Sequence, residues 1–160
     1  MAINASKPVT HARMTSEEKR EMAHMLVERA SLAVKTRPFL ESELPDWKPE
    51  AGDCHANVDL WVKTHPGYNA VRGWLDISYV VVYPARKFAA HSLVSTENGC
   101  LFEITPGPDK NQCVFIRHPG SDKNFERFMT NENHVVECGS IGSELHDDAI
   151  SLGSYDGTET

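Results

Sequence analysis

Apolar residues recur every three or four positions in the first part of this chain and alternate with polar ones from Tyr68 onward, so the pattern predicts helices followed by strands. Met22, Leu26, Ala30 and Ala33 share helical spacing, and Thr15-Ser16-Glu17-Glu18 supplies a hydroxyl cap with acids against the positive end of the dipole. The first helix is expected over 16–35, ending before Arg37-Pro38 and packing on its own domain. Pro38, Pro45, Pro49 and Gly52 make 36–52 an irregular connection. A second helix runs from Asp53-Cys54 to about Thr64, with Val58, Trp61 and Val62 on the side of Cys54 and His65-Pro66-Gly67 as its stop. Strands are expected over 68–77, 79–83 (wholly apolar, hence buried on both faces), 87–95, 100–105 and 114–117, and a short helix over 121–131. Beyond Asn133 the pattern fades. The expected fold class is α+β, with helices packed on a mostly antiparallel sheet. One domain spans 15–138, with a flexible leader over 1–14 and an acidic, mobile tail over 139–160.

Charge and cysteine usage narrow the partners. A formal charge of −7 with a pI near 5.6 argues against nucleic acid and against an anionic membrane surface, both of which need a basic face. The first 20 residues hold no apolar signal core, and no apolar run approaches the roughly 18 residues that span a bilayer, so the expected location is cytoplasmic, with a signal-less secretion route left open. The cysteines at 54, 100, 113 and 138 show no CxxC spacing, which makes a structural zinc site a weak reading and unpaired thiols the working assumption. No cofactor is implied, and the oligomeric state is left open.

Cys54 is the first chemically suggestive residue. At the opening turn of a helix it meets unsatisfied N–H groups and the positive end of the dipole, which favour the thiolate, while Asp53 opposes it. His91 and Glu103 are the second. Glu97-Asn98-Gly99 reads as a three-residue hairpin loop closed by a left-handed glycine, which pairs Thr96 with Cys100, Leu93 with Glu103 and His91 with Thr105. His91 and Glu103 then share one face as diagonal neighbours, roughly 7–8 Å apart at the backbone. A two-residue Asn-Gly turn would put them on opposite faces. The bulge is favoured because the glycine sits last in the loop. A thiol, an imidazole and a carboxylate so ordered supply a nucleophile, its base and the group that orients the base.

These residues resemble the transglutaminase-like and papain-like cysteine hydrolase superfamily. There a cysteine opens a buried helix, followed by a histidine on one strand and an acid or Asn on the next. His91-Ser92-Leu93-Val94 and Glu103-Ile104-Thr105-Pro106 match the histidine and acid motifs, with Cys54 upstream in the right order. The resemblance covers about 54–106; the acid is Glu where Asp is commoner, and Cys54 is followed by His55-Ala56-Asn57 instead of Trp. It implies a papain-like α+β core and a Cys54–His91–Glu103 triad. The implied activity is cysteine-dependent acyl transfer on a protein or peptide amide, as hydrolysis, deamidation or transamidation. Acyl transfer also needs an oxyanion donor beside the Cys54 N–H, and Asn57, Trp47 and His55 are the candidates, with Trp74 a candidate cleft wall. Two other classes remain: a non-enzymatic interaction module of the same fold, and a metalloenzyme using His55, His91, Glu103 and His118. The second lacks any compact ligand pair.

Overall fold

A computed structural model describes residues 12–38, 48–78, 85–106 and 114–139. The fold is α+β. Helix α1 (Ser16–Glu28) opens on a complete capping box between Thr15 and Glu18, and its buried side is Met22, Ala23 and Leu26. It stops short of the expected 35. A single 3-10 turn covers Ala30–Leu32, and the chain then enters two very short strands, β1 (Val34–Lys35) and β2 (Arg37–Pro38). Helical spacing persists to Ala33 in sequence, but the backbone of Val34–Lys35 finds partners in another strand instead. Helix α2 (Cys54–Thr64) keeps the expected bounds.

The sheet follows as β3 (Asn69–Asp76), β4 (Arg86–Ser95), β5 (Leu101–Glu103) and β6 (Val114–Arg117). After β6 come helix α3 (Asp122–Phe125), a 3-10 turn over Glu126–Phe128, and β7 (Val135–Cys138). The pairing is antiparallel throughout except for β2 with β5, and β7 lies beyond the strands expected from sequence. The expected strand over 79–83, Trp47, and most of the leader and tail lie outside the described residues. Residues 12–14, counted with the leader from sequence, belong to the fold. Met14 is buried, and Asn133 accepts its N–H while donating to the carbonyls of Ala12 and Arg127.

The strand order is β1-β6-β3-β4-β5-β2, with β7 on β4. β1 and β2 are separated by Thr36 alone yet occupy opposite ends of that order, so the segment Val34–Pro38 borders both edges and the sheet closes on itself. Alternation along β4 then sorts side chains inside and out. Leu93 joins Val71, Leu75 and Phe115 on the inner face. On the outer face Phe88 and Ala90 pack with Trp74, Ile116 and the helix residues Met22, Leu26 and Phe125, and Val94 packs with Val58 and Trp61 of α2. Gly73 is required by close approach: a Cβ there would sit 2.3 Å from the Ile116 carbonyl and 2.4 Å from the Phe115 ring. No helix among the described residues is long and apolar enough to cross a membrane.

Candidate active site

The β4–β5 hairpin fixes the first pair. The Thr96 N–H donates to Cys100 and the Gly99 N–H to Thr96, with Gly99 at φ +77 in the left-handed region, the geometry of a type I turn closed by a bulge. Val94 stands opposite Phe102 and Ser95 opposite Leu101, so continuing the register sets Leu93 against Glu103 and keeps His91 and Glu103 on one face. Their side chains meet: His91 Nε2 lies 2.5 Å from Glu103 Oε2, and both residues are 6% exposed. The second carboxylate oxygen, Oε1, accepts the Thr105 N–H at 2.8 Å.

The outer edge of β4 explains how a helix reaches this pair. β7 borders β4 along Arg86–Ala89 and β5 borders it along Val94–Ser95, while His91–Leu93 pair with neither. The start of α2 meets β4 at this interruption. There the thiol of Cys54 comes within hydrogen-bonding reach of His91 from the inner face and of His55 beside it. Because Nε2 of His91 is taken by Glu103, Nδ1 is the nitrogen left for sulfur.

Three polar tethers hold α2 in place. Asn57 Oδ1 accepts the Glu50 N–H at 3.0 Å while its Nδ2 donates to the Glu50 carbonyl at 2.7 Å and to Thr105 Oγ1 at 3.2 Å, clamping the approach to the helix onto the segment after β5. His55 Nδ1 lies 2.6 Å from Ser92 Oγ on β4. Arg72 on β3 bonds Asp59 with one nitrogen and donates to Ser92 Oγ at 2.6 Å with the other. The N-cap, Asp53, makes no side-chain capping bond, so its carboxylate does not occupy the first-turn N–H groups.

The electrostatics follow from these contacts. Burial pushes the Cys54 thiol up, but hydrogen bonds with His55 and His91, and their charges, outweigh it and bring the thiol down to about 5. Burial likewise pushes the His91 imidazole down, and the hydrogen bonds and charges of Cys54 and Glu103 reverse it to about 9. The two groups titrate as one pair. Between those values it is thiolate and imidazolium, a nucleophile with a proton donor already beside it.

The remaining candidates lie elsewhere. Asn57 is a brace whose amide is engaged on both sides, so it is not a spare oxyanion donor. Trp74 is fully buried and donates its indole N–H to His118 Nδ1 at 3.2 Å; it is core and walls no cleft. His118 packs on Phe125 and Phe128, its basicity lowered by burial, and does not join His55, His91 and Glu103. Among the described residues no group of three His, Cys, Asp or Glu is gathered as a metal site. Cavities of about 460 and 480 Å³, beside Arg117 and beside Met25, stand away from Cys54. Sequence reasoning did not single out Ser92, Arg72, Asp59 or Thr105. Asn57 and Cys54 share a helix face at three-residue spacing, but the interrupted edge that gathers the others leaves no local signal. No family model, no curated protein and no solved structure matches the chain.

Proposed function

We propose that this protein is a cysteine-dependent acyl-transfer enzyme acting on protein or peptide amides, with a transglutaminase-like or papain-like core. Cys54 is the nucleophile, His91 the acid–base and Glu103 the group that orients His91. The observation that carries the reading is one imidazole held at Nε2 by a buried carboxylate and within hydrogen-bonding reach of a thiol at a helix start. In the reaction the thiolate attacks the amide carbonyl, forming an S–C bond. His91 gives its proton to the departing nitrogen as the C–N bond breaks, leaving a thioester on Cys54. Neutral His91 then takes a proton from water or an amine, which attacks the thioester and restores the thiolate.

The test uses p-nitrophenyl acetate as a generic acyl donor, with peptide mass mapping of the acylated residue. Wild-type protein should carry the acetyl group on Cys54 and transfer it to water or to an added primary amine. Cys54→Ala and His91→Ala should each abolish it. Acetyl spread evenly over the cysteines, or persisting on Cys54 in His91→Ala, would sink the proposal.

A further inference from the structure

The sheet leaves a seam where it closes. β2 pairs with β5 in parallel, Arg37 against Phe102, and continuing that register backward would set Lys35 against Cys100 and Val34 against Gly99. No pairing is made there, because β5 begins only at Leu101 and 99–100 close the hairpin loop. β1 therefore pairs with β6 on one side, and its other side has no strand among the described residues. A cavity of about 460 Å³ opens along this seam, between Val34–Lys35 and the hairpin end at Gly99 and Leu101. In a chain of formal charge −7, the described lining of this cavity holds Arg29, Lys35 and Arg117 and no Asp or Glu. All three cations are exposed, and none joins the ion pairs made among the described residues. The rim is also apolar. Leu32 is 65% and Val34 41% exposed, two of only four large hydrophobic residues so exposed among the described ones.

We propose that this seam docks an acidic, aliphatic peptide segment of another protein. The three cations come from three places in the fold: the end of α1, β1 and β6. Charges so spread suit several carboxylates along a chain better than one compact anion. Leu32 and Val34 reward aliphatic side chains, which a small anion lacks. The unpaired side of β1 offers backbone N–H and C=O groups to an extended peptide. The surface stands away from Cys54, so the proposal goes beyond the acyl-transfer reading and stands or falls independently of it.

The probe is a fluorescein-labelled short peptide in which Glu alternates with Leu, titrated with full-length protein and read by anisotropy at neutral pH. Wild type should bind it, more weakly as salt rises, and should not bind the same peptide with Lys in place of Glu. Oligo-Glu without Leu should bind about tenfold more weakly. Lys35→Glu and Arg117→Glu should each weaken binding roughly three- to thirtyfold, since each removes an attraction and adds a repulsion. Leu32→Ser should cost about tenfold. Lys63→Glu, the same charge change on the exposed side of α2, should stay within about twofold of wild type. All four substitutions are at exposed positions, and a thermal melt of each checks that the fold is kept. No binding of the Glu–Leu peptide, equal binding of oligo-Glu, or losses in Lys35→Glu and Arg117→Glu no larger than in Lys63→Glu would overturn the proposal. Two other occupants have signatures of their own. A dimer in sedimentation velocity that Arg117→Glu dissolves would seat a second copy of this chain in the seam. Tighter probe binding in full-length protein carrying Glu144→Gln, Asp147→Asn and Asp148→Asn would seat the chain's own acidic end there. Either result would overturn the assignment to another protein.

Discussion

Replacing Glu103 by Gln tests how the site holds its charge. Among its described contacts, the carboxylate faces His91 at Oε2 and accepts the Thr105 N–H at Oε1. An amide of the same shape has one acceptor oxygen, so one contact must be given up. If the amide oxygen stays on Thr105, its NH₂ faces His91 Nε2 and can donate only to a deprotonated ring nitrogen. If it stays on His91, a buried N–H loses its partner, at a cost of about 1–3 kcal/mol. In both arrangements the charge stabilising imidazolium is gone. A carboxylate in direct contact shifts a neighbour's pKa by roughly 1–3 units, so His91 should fall from about 9 toward roughly 6–8. Iodoacetate reports this directly, because its carboxylate is attracted by imidazolium. In wild type its rate with Cys54 should rise as the thiol ionises near pH 5 and fall as His91 loses its proton near pH 9. In Glu103→Gln the falling limb should move down by roughly 1–3 pH units. An unmoved limb would show that Glu103 is not the charge partner of His91.

Three further outcomes are expected. Gly73→Ala drives a Cβ into the Ile116 carbonyl and the Phe115 ring, so it should cost about 1–3 kcal/mol and lower Tm by roughly 3–12 °C; an unchanged Tm in a melting scan would contradict the packing. Asn57→Leu removes the clamp on Glu50 and Thr105, and should slow iodoacetamide labelling of Cys54 while labelling of exposed Cys100 stays constant. Peptide mapping reads both sites, and equal rates before and after the change would remove Asn57 from the support of the site. Arg72→Met keeps the stem but removes the bonds to Ser92 and Asp59 that tie α2 to β3 and β4, so it should cost about 1–3 kcal/mol; an unchanged Tm would argue that this tether does not hold the helix.

The site was legible where chemistry is local. Gly99 at the last loop position set the hairpin register, the register set the shared face of His91 and Glu103, and His65-Pro66-Gly67 closed α2 where expected. Non-local pairing escaped. Val34–Lys35 abandons helical spacing because β6 satisfies its backbone, and β7 alternates over only four residues, too few for a period. Asn133, placed where the pattern fades, is a buried clamp on residues 12–14. His55 was named from sequence only as a candidate donor, with nothing local to show what holds it. Its link to Ser92 depends on a stretch of β4 that pairs with β3 but that neither β5 nor β7 borders, a gap that exists only once both strands are in place.

The pairing of Cys54 with His91 is tested most directly by ultraviolet titration of thiolate absorbance in wild type against Cys54→Ala, which needs neither substrate nor access to the sulfur. The difference should show one thiolate appearing near pH 5 and persisting through neutrality, and it should move to the ordinary thiol range in His91→Ala. No difference between the two proteins until pH reaches the roughly 8.5 of a free thiol would contradict the ion pair, and with it the nucleophile assigned to Cys54.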